Sequence, residues 1–144
     1  MVAKVLRPIP EVIDDYSGLS RRVLDWASVQ KELMDASTQP GFDPDRWDVL
    51  ADFVDADRFL RIGTVKEEMR FADFLGFMRQ WAPSAQWDGY FKRINEYDNV
   101  VVLELEERVT ANGHSNAVNT ISVYEFDEAG KLFHLDVYMQ NSPE

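Results

Sequence analysis

In the stretch "VVVLELEERVTANGHSNAVNTISVYEF", Val100 to Phe126, one carboxylate stands out of pattern. Glu104, Glu106 and Arg108 alternate with Leu103, Leu105 and Val109, as on a strand with one wet face. Glu107 breaks the alternation and falls on the side of the leucines. An ionised carboxylate on an apolar face is costly unless it is paired or opened to water. Held in a pocket, such a group is suited to move protons as a general acid or base. The plainer alternative puts Glu107 past the pocket rim, in solvent near the hairpin end.

Other groups could complete a proton-transfer site. Arg61, in "DRFLRIG", could bind an anionic or phenolate oxygen or stabilise an enolate. Otherwise it pairs with Glu67 or another acid. Thr120 and Ser122 are hydroxyls among apolar neighbours and could orient a substrate oxygen, although satisfied core hydroxyls are commoner. Trp87, Tyr90 and Tyr124 could line an aromatic slot with a phenol as proton donor. Phe59, Leu105 and Val137 would supply apolar wall. The candidate catalytic set is therefore Glu107, Arg61 and Tyr90, with the others as substrate contacts. His134, Asp136 and Tyr138 share one face but point away from that set.

Composition removes several function classes. A net charge of −11 gives no basic patch for nucleic acid or for an anionic membrane surface. No cysteine is present and only two histidines, so disulfides, thiolate metal sites and His-rich metal sites drop out. With no phosphate-binding glycine loop, nucleophile elbow or metal motif, no cofactor is expected. The N-terminus lacks a signal peptide's apolar core, and no apolar run is long enough to span a bilayer, so a cytoplasmic protein is expected. The 144 residues suit a single domain, 1–144, with 1–19 as an N-terminal extension.

The elements that must position these residues change character along the chain. "SRRVLDWASVQKELMDAS" carries Val23, Leu24, Trp26, Ala27, Val29, Leu33 and Met34 as one helical stripe. Asp43-Pro44-Asp45 opens a short helix through Trp47, Leu50 and Phe53. "DADRFLRIG" reads as a short strand. Thr64 with Glu67 fits a capping box opening a third helix, "VKEEMRFADFLGFMRQW". The second half, "WDGYFKRI", "NVVVLELEERV", "SNAVNTISVYEF" and "KLFHLDVYMQ", reads as strands at hairpin spacing. Helices followed by an antiparallel meander predict an α+β fold, with helices packed on one face of a curved sheet.

Asn112-Gly113 is the strongest turn signal, because a type I′ turn needs positive φ at both central residues. It pairs Ala111 with His114, and hence Glu107 with Val118, Leu105 with Thr120 and Leu103 with Ser122. A turn at "DEAG" that pairs Phe126 with Lys131 places Tyr124 opposite Phe133 and Ser122 opposite Leu135. Both turns put Leu103, Leu105, Glu107, Thr120, Ser122, Tyr124, Phe133, Leu135, Val137 and Met139 on the apolar face. A bulge in the first long strand would exchange Trp87 and Tyr90 between faces.

The segment "DNVVVLELEERVTANGHSNAVNTISVYEFDEAGKLFHLDVYMQ", with "LADFVDADRFLRI" before it, resembles the nuclear-transport-factor-2-like superfamily, SnoaL-like branch. The resemblance covers roughly residues 20–140 and rests on element order and on the "FDEAGKL" turn. It implies a curved sheet wrapped around N-terminal helices into a cone with an apolar pocket. Homodimers through the convex sheet face are common in that family. Its members include ketosteroid isomerases, polyketide cyclases, scytalone dehydratase, limonene epoxide hydrolase and non-catalytic binding proteins. Residue by residue the match departs from each known mechanism. Arg61 stands where ketosteroid isomerase has its basic Asp, and Ser122 where it has its oxyanion-hole Asp. Glu107, Val109 and Val137 occupy the epoxide hydrolase positions, leaving a single acid. His114 in the turn and His134 on the outer face do not supply the dehydratase's pocket histidines.

The expected function is a cofactor-independent acid/base enzyme, a lyase, dehydratase or isomerase. Its substrate would be a small hydrophobic molecule, with aromatic and cyclic compounds the leading options. The alternative is a non-catalytic small-molecule-binding or dimeric scaffold protein of the same fold.

Overall fold

The computed structural model describes residues 5–143. The first long helix, α2 (Gly18–Ser37), follows a two-residue strand β1 (Arg7–Pro8) and a single helical turn α1 (Ile9–Val12). Val23, Leu24, Trp26, Ala27, Leu33 and Met34 of α2 are buried, as the stripe requires, and Val29 is half-buried. The α2 N-terminus is capped from a distance. Glu96 Oε1 accepts from both the Ser20 backbone N–H and its hydroxyl, each at 2.8 Å. A 3-10 helix spans Pro44–Phe53 with the Asp43 carboxylate accepting the Asp45 N–H at 2.9 Å.

Strands β2 (Leu60–Ile62) and β3 (Glu68–Arg70) form a small hairpin before α3 (Phe71–Trp81). This corrects the expected start of the third helix. Thr64 to Glu67 form the hairpin turn, with Lys66 at φ 65° and Glu67 Oε2 accepting the Val65 N–H at 3.0 Å. The α3 cap is instead Asp73, which accepts the Arg70 N–H at 3.0 Å. Strands β4 (Ala85–Tyr97), β5 (Val100–Ala111), β6 (His114–Phe126) and β7 (Leu132–Gln140) follow.

Among the described residues one seven-stranded sheet results, in the order β1-β4-β5-β6-β7-β2-β3. Every neighbouring pair is antiparallel except β2 with β7, which run parallel. The β5–β6 register is the one dictated by the Asn112-Gly113 turn, whose φ values are 53° and 77°. Two bulges alter the rest. Lys92 is extra between the pairs Phe91↔Leu105 and Arg93↔Glu104, which turns Trp87, Gly89 and Phe91 inward and Tyr90 outward. Phe133 is extra between Glu125↔His134 and Phe126↔Leu132. The turn sets Phe126 opposite Leu132, not the expected Lys131, and the bulge adds one residue more, so the β6–β7 register sits two residues from expectation, with Tyr124 opposite Leu135 and Ser122 opposite Val137. A shift of two keeps face parity, so Leu135 and Val137 stay inward. Leu132 takes the buried place expected of Phe133, whose ring lies 4.2 Å under the Arg58 guanidinium.

Helices α2 and α3 lie against the inward face of the sheet. Trp26 stacks on Phe74 at 5.8 Å, and Phe59 meets Phe71 edge-on at 5.5 Å. Phe59 and Phe71, with Leu24, Leu103, Phe126 and Leu132, form the closed end of the core, and Trp26 and Phe74 border it.

Candidate active site

Toward the open end, helices and sheet separate to leave a cavity of about 280 Å³. The sheet contributes Arg61 from β2, Trp87 from β4, Leu105, Glu107 and Val109 from β5, Ser122 and Tyr124 from β6, and Leu135 and Val137 from β7. The helices contribute Trp26, Ala27, Gln30 and Met34 from α2, and Phe74, Phe77, Met78 and Trp81 from α3. Phe77 and Trp81 stack at 5.8 Å, and Phe77, being 44% exposed, marks where the cavity opens.

Glu107 lies on the cavity wall, and Trp87 Nε1 donates to its Oε1 at 2.6 Å. The donor arrives diagonally, since Glu107 is opposite Gly89 and Trp87 is opposite Val109. A Cβ on Gly89 would lie 2.8 Å from Trp87 Cη2, so the indole reaches Glu107 by crossing the bare backbone of Gly89. Among the described residues this is the one donor to Glu107, which leaves its other carboxylate oxygen for a ligand.

Arg61 reaches the cavity through the parallel β2–β7 pairing, where it stands opposite Leu135. Among the described residues no carboxylate comes within ion-pair distance of its guanidinium. Burial lowers its pKa, and the charges of Glu67, Tyr124 and Glu107 pull in the opposite direction. An arginine keeps its charge through such a shift, so the cavity holds a partly desolvated cation with donors to spare. Tyr124, 6% exposed, has its phenol pushed well above the ordinary tyrosine value by burial and by the Glu107 charge. The Ser122 hydroxyl and the Arg61 charge act the other way. Tyr124 is therefore a neutral O–H donor at physiological pH.

Of the residues singled out in the sequence, Glu107, Arg61, Trp87, Leu105, Ser122, Tyr124 and Val137 meet at this cavity. Three do not. Tyr90 is corrected to the outer face by the Lys92 bulge, where it pairs with Glu106 and stacks 3.8 Å beneath the Arg108 guanidinium. Phe59 is fully buried among Trp26, Phe71 and Phe74, and so packs the closed end. Thr120 is buried opposite Leu105 and does not line the cavity, with its Oγ1 unpartnered among the described residues. On the outer face Arg108 pairs with Glu106 at 2.7 Å, Arg93 pairs with Glu104, and His134 Nε2 lies 3.1 Å from Asp136. Among the described residues no three metal-ligating side chains gather. The helical half of the wall escaped the sequence reading, because the apolar stripes of α2 and α3 carry the same signal whether they fill a core or line a hole.

The fold is that of nuclear-transport-factor-2-like proteins. An Exiguobacterium protein of this type, of unknown function, superposes with a TM-score of 0.62 at 12% identity, covering 81% of this chain and 99% of that one. A SnoaL-like polyketide cyclase from Jannaschia, so described, gives 0.54 at 12%, covering 80% and 85%. An LEH-like epoxide hydrolase from M. tuberculosis gives 0.57 at 11%, covering 78% and 84%. At such identities the likeness establishes the fold alone. No family model and no curated protein matches the sequence. Among the described residues no helix is long and apolar enough to cross a membrane.

Proposed function

We propose that the chain is a cofactor-independent acid/base enzyme, acting on a small hydrophobic ring compound. The observation that carries this reading is a carboxylate, Glu107, and a partly desolvated cation without an ion-pair partner among the described residues, Arg61, lining one aromatic-walled cavity. Glu107 takes a proton from the carbon next to a substrate carbonyl. The electron pair moves to the carbonyl oxygen, where Arg61 and the neutral Tyr124 hydroxyl stabilise the oxyanion. Returning the proton to another carbon gives isomerisation. Delivering it to a leaving hydroxyl releases water and gives dehydration. Trp26, Phe74, Phe77, Trp81 and Trp87 exclude water and favour a flat substrate.

Thermal-shift screening of hydrophobic ring compounds, followed by turnover assays on each hit, tests the reading. Glu107→Gln and Arg61→Ala should each abolish most turnover of a hit that binds. Full turnover in both variants sinks the assignment.

A homodimer through the outer sheet face is part of the same proposal. Ile121 and Tyr138, paired across β6 and β7, are 40% and 60% exposed there. They supply the apolar centre that an interface needs. They also favour the second reading, a dimeric scaffold whose cavity only binds.

A further inference from the structure

A second cavity, of about 570 Å³, lies behind the first, between the N-terminal segment, α2 and β4. Its apolar surface comes from Pro8, Ile9, Ile13, Val29 and Phe53, and its size falls in the range of small-molecule pockets. The cations around it, with Asp25 and Asp88, are already engaged. Arg22 donates to the Gly130 and Asp52 carbonyls at 2.8 and 2.7 Å, and Asp25 pairs with Arg21 at 3.0 Å. Lys31 bridges Asp35 and Asp88 at 2.9 and 3.0 Å. Among the described residues, therefore, no free cation of this wall waits for an anion, and an acidic ligand would meet Asp25, Glu32 and Asp88. Ser28 also lines this cavity, and its buried Oγ has no hydrogen-bond partner among the described residues. An unmade hydrogen bond of that kind is costly, and one ligand oxygen would supply it after a rotation about Ser28 χ1 that turns the hydroxyl into the cavity.

Trp87 and Ala27 belong to the walls of both cavities. Since Gly89 has no side chain, little but the indole stands between the second cavity and Glu107. A Cβ at Gly89 would sit 3.1 Å from Ile9 Cδ1 on one side and 2.8 Å from the indole on the other.

We propose that the second cavity binds a small neutral apolar molecule carrying one hydroxyl or carbonyl oxygen, and that its occupancy is felt at Glu107 through Trp87. This stands whether or not the first cavity is catalytic. The coupling is reciprocal, since a ligand that shifts Trp87 changes the first cavity's affinity and is changed by it.

Titration of the isotope-labelled full chain with cyclohexanol, followed by NMR, tests it. The expected result is saturable shifts at the amides of Ile9, Val29 and Gly89 and at the Trp87 indole N–H. Kd should be on the order of 1 mM, as for a fragment of this size. Cyclohexanecarboxylate should bind more weakly than cyclohexanol. Ser28→Ala should weaken cyclohexanol about fivefold, the value of one net hydrogen bond. Three outcomes overturn the site: no saturable shift, shifts at Trp81, Tyr124 and Val137 with none at Ile9 and Val29, or carboxylate binding as tight as the alcohol. A silent Trp87 indole beside shifting Ile9 and Val29 overturns the coupling.

Discussion

The Trp87 indole donates to Glu107 across a strand pair in which Glu107 stands opposite Gly89, not opposite Trp87. The diagonal reach depends on the missing side chain at Gly89. Gly89→Ala places a methyl group within 2.8 Å of the indole, and the backbone beneath cannot retreat without disturbing β5. The substitution should displace Trp87 and break the hydrogen bond to Glu107. Overpacking of this kind costs about 1–3 kcal/mol. Denaturant unfolding should report that loss, and the Trp87 indole N–H resonance should move upfield. An unmoved resonance would mean that the indole is held by something other than the strand geometry.

Glu107→Gln keeps the shape of the side chain and an acceptor for Trp87 but removes the proton acceptor. On a substrate that wild type turns over, the rate should fall by roughly 10²–10⁴-fold with little change in unfolding midpoint. Arg61→Ala removes the cation that stabilises a developing oxyanion and should cost roughly 10²–10³-fold in kcat. Arg61→Lys should restore part of it. If Arg61→Ala raises KM alone, the guanidinium binds the ground state and plays no special part in the transition state.

How much of this site could be read beforehand turns on which strand contacts are local. Asn112-Gly113 is a two-residue turn with one geometry, so the facing of Glu107, Leu105, Ser122 and Tyr124 follows from counting outward. The Lys92 bulge has no comparable signature. It arises where β4 must bend, and it alone decides that Trp87 shares the sheet face of Glu107 while Tyr90 shares that of Arg108. Phe133 is a bulge of the same kind, but the turn before it is one residue longer than expected, and the combined shift of two leaves face parity intact. The β2–β7 pairing that brings Arg61 to the cavity joins residues far apart in the chain, as does the Glu96 cap on α2. No local propensity encodes either contact. The strand at Glu68–Arg70 was hidden for another reason: Thr64 and Glu67 spell a helix start that tertiary pairing overrides.

Tyr124 should leave a mark at high pH. Burial favours its neutral form, so the folded state holds the phenolic proton more tightly than the unfolded chain does. Its contribution is therefore fully present below the ordinary tyrosine pKa, about 10, and is lost as pH rises from there toward the folded value. In that window it adds a slope of about 1.4 kcal/mol per pH unit to the loss of stability. Tyr124→Phe should flatten this slope, measured as unfolding midpoint against pH between about 9 and 11. Equal slopes in the two proteins would place the Tyr124 hydroxyl in water.

Phe59 separates packing from binding. It is fully buried among Trp26, Phe71 and Phe74 and does not line the cavity. Phe59→Ala should cost about 3–5 kcal/mol, the usual penalty for emptying a buried aromatic position. Affinity for a first-cavity ligand, measured by calorimetry where the variant is still folded, should change by less than about threefold, because contacts outside a site are near-neutral. A large loss of affinity with little loss of stability would reverse the placement.

The outer face carries the last prediction. Ile121 and Tyr138 are paired neighbours with large exposed area, flanked by the charges of Glu104, Glu106 and Arg108. An apolar centre with a charged rim is the composition of an interface. A stable dimer would bury on the order of 800 Å² per partner. Ile121→Arg places a cation at the centre, where the two-fold symmetry of a dimer would set it close to the same cation of a second copy. That substitution should convert a dimer to a monomer in analytical ultracentrifugation while leaving the monomer folded by circular dichroism, because position 121 faces away from the core. If wild type already sediments as a monomer at the concentrations used, the outer face is not the dimer surface. If the variant remains a dimer, the contact lies on another part of the chain.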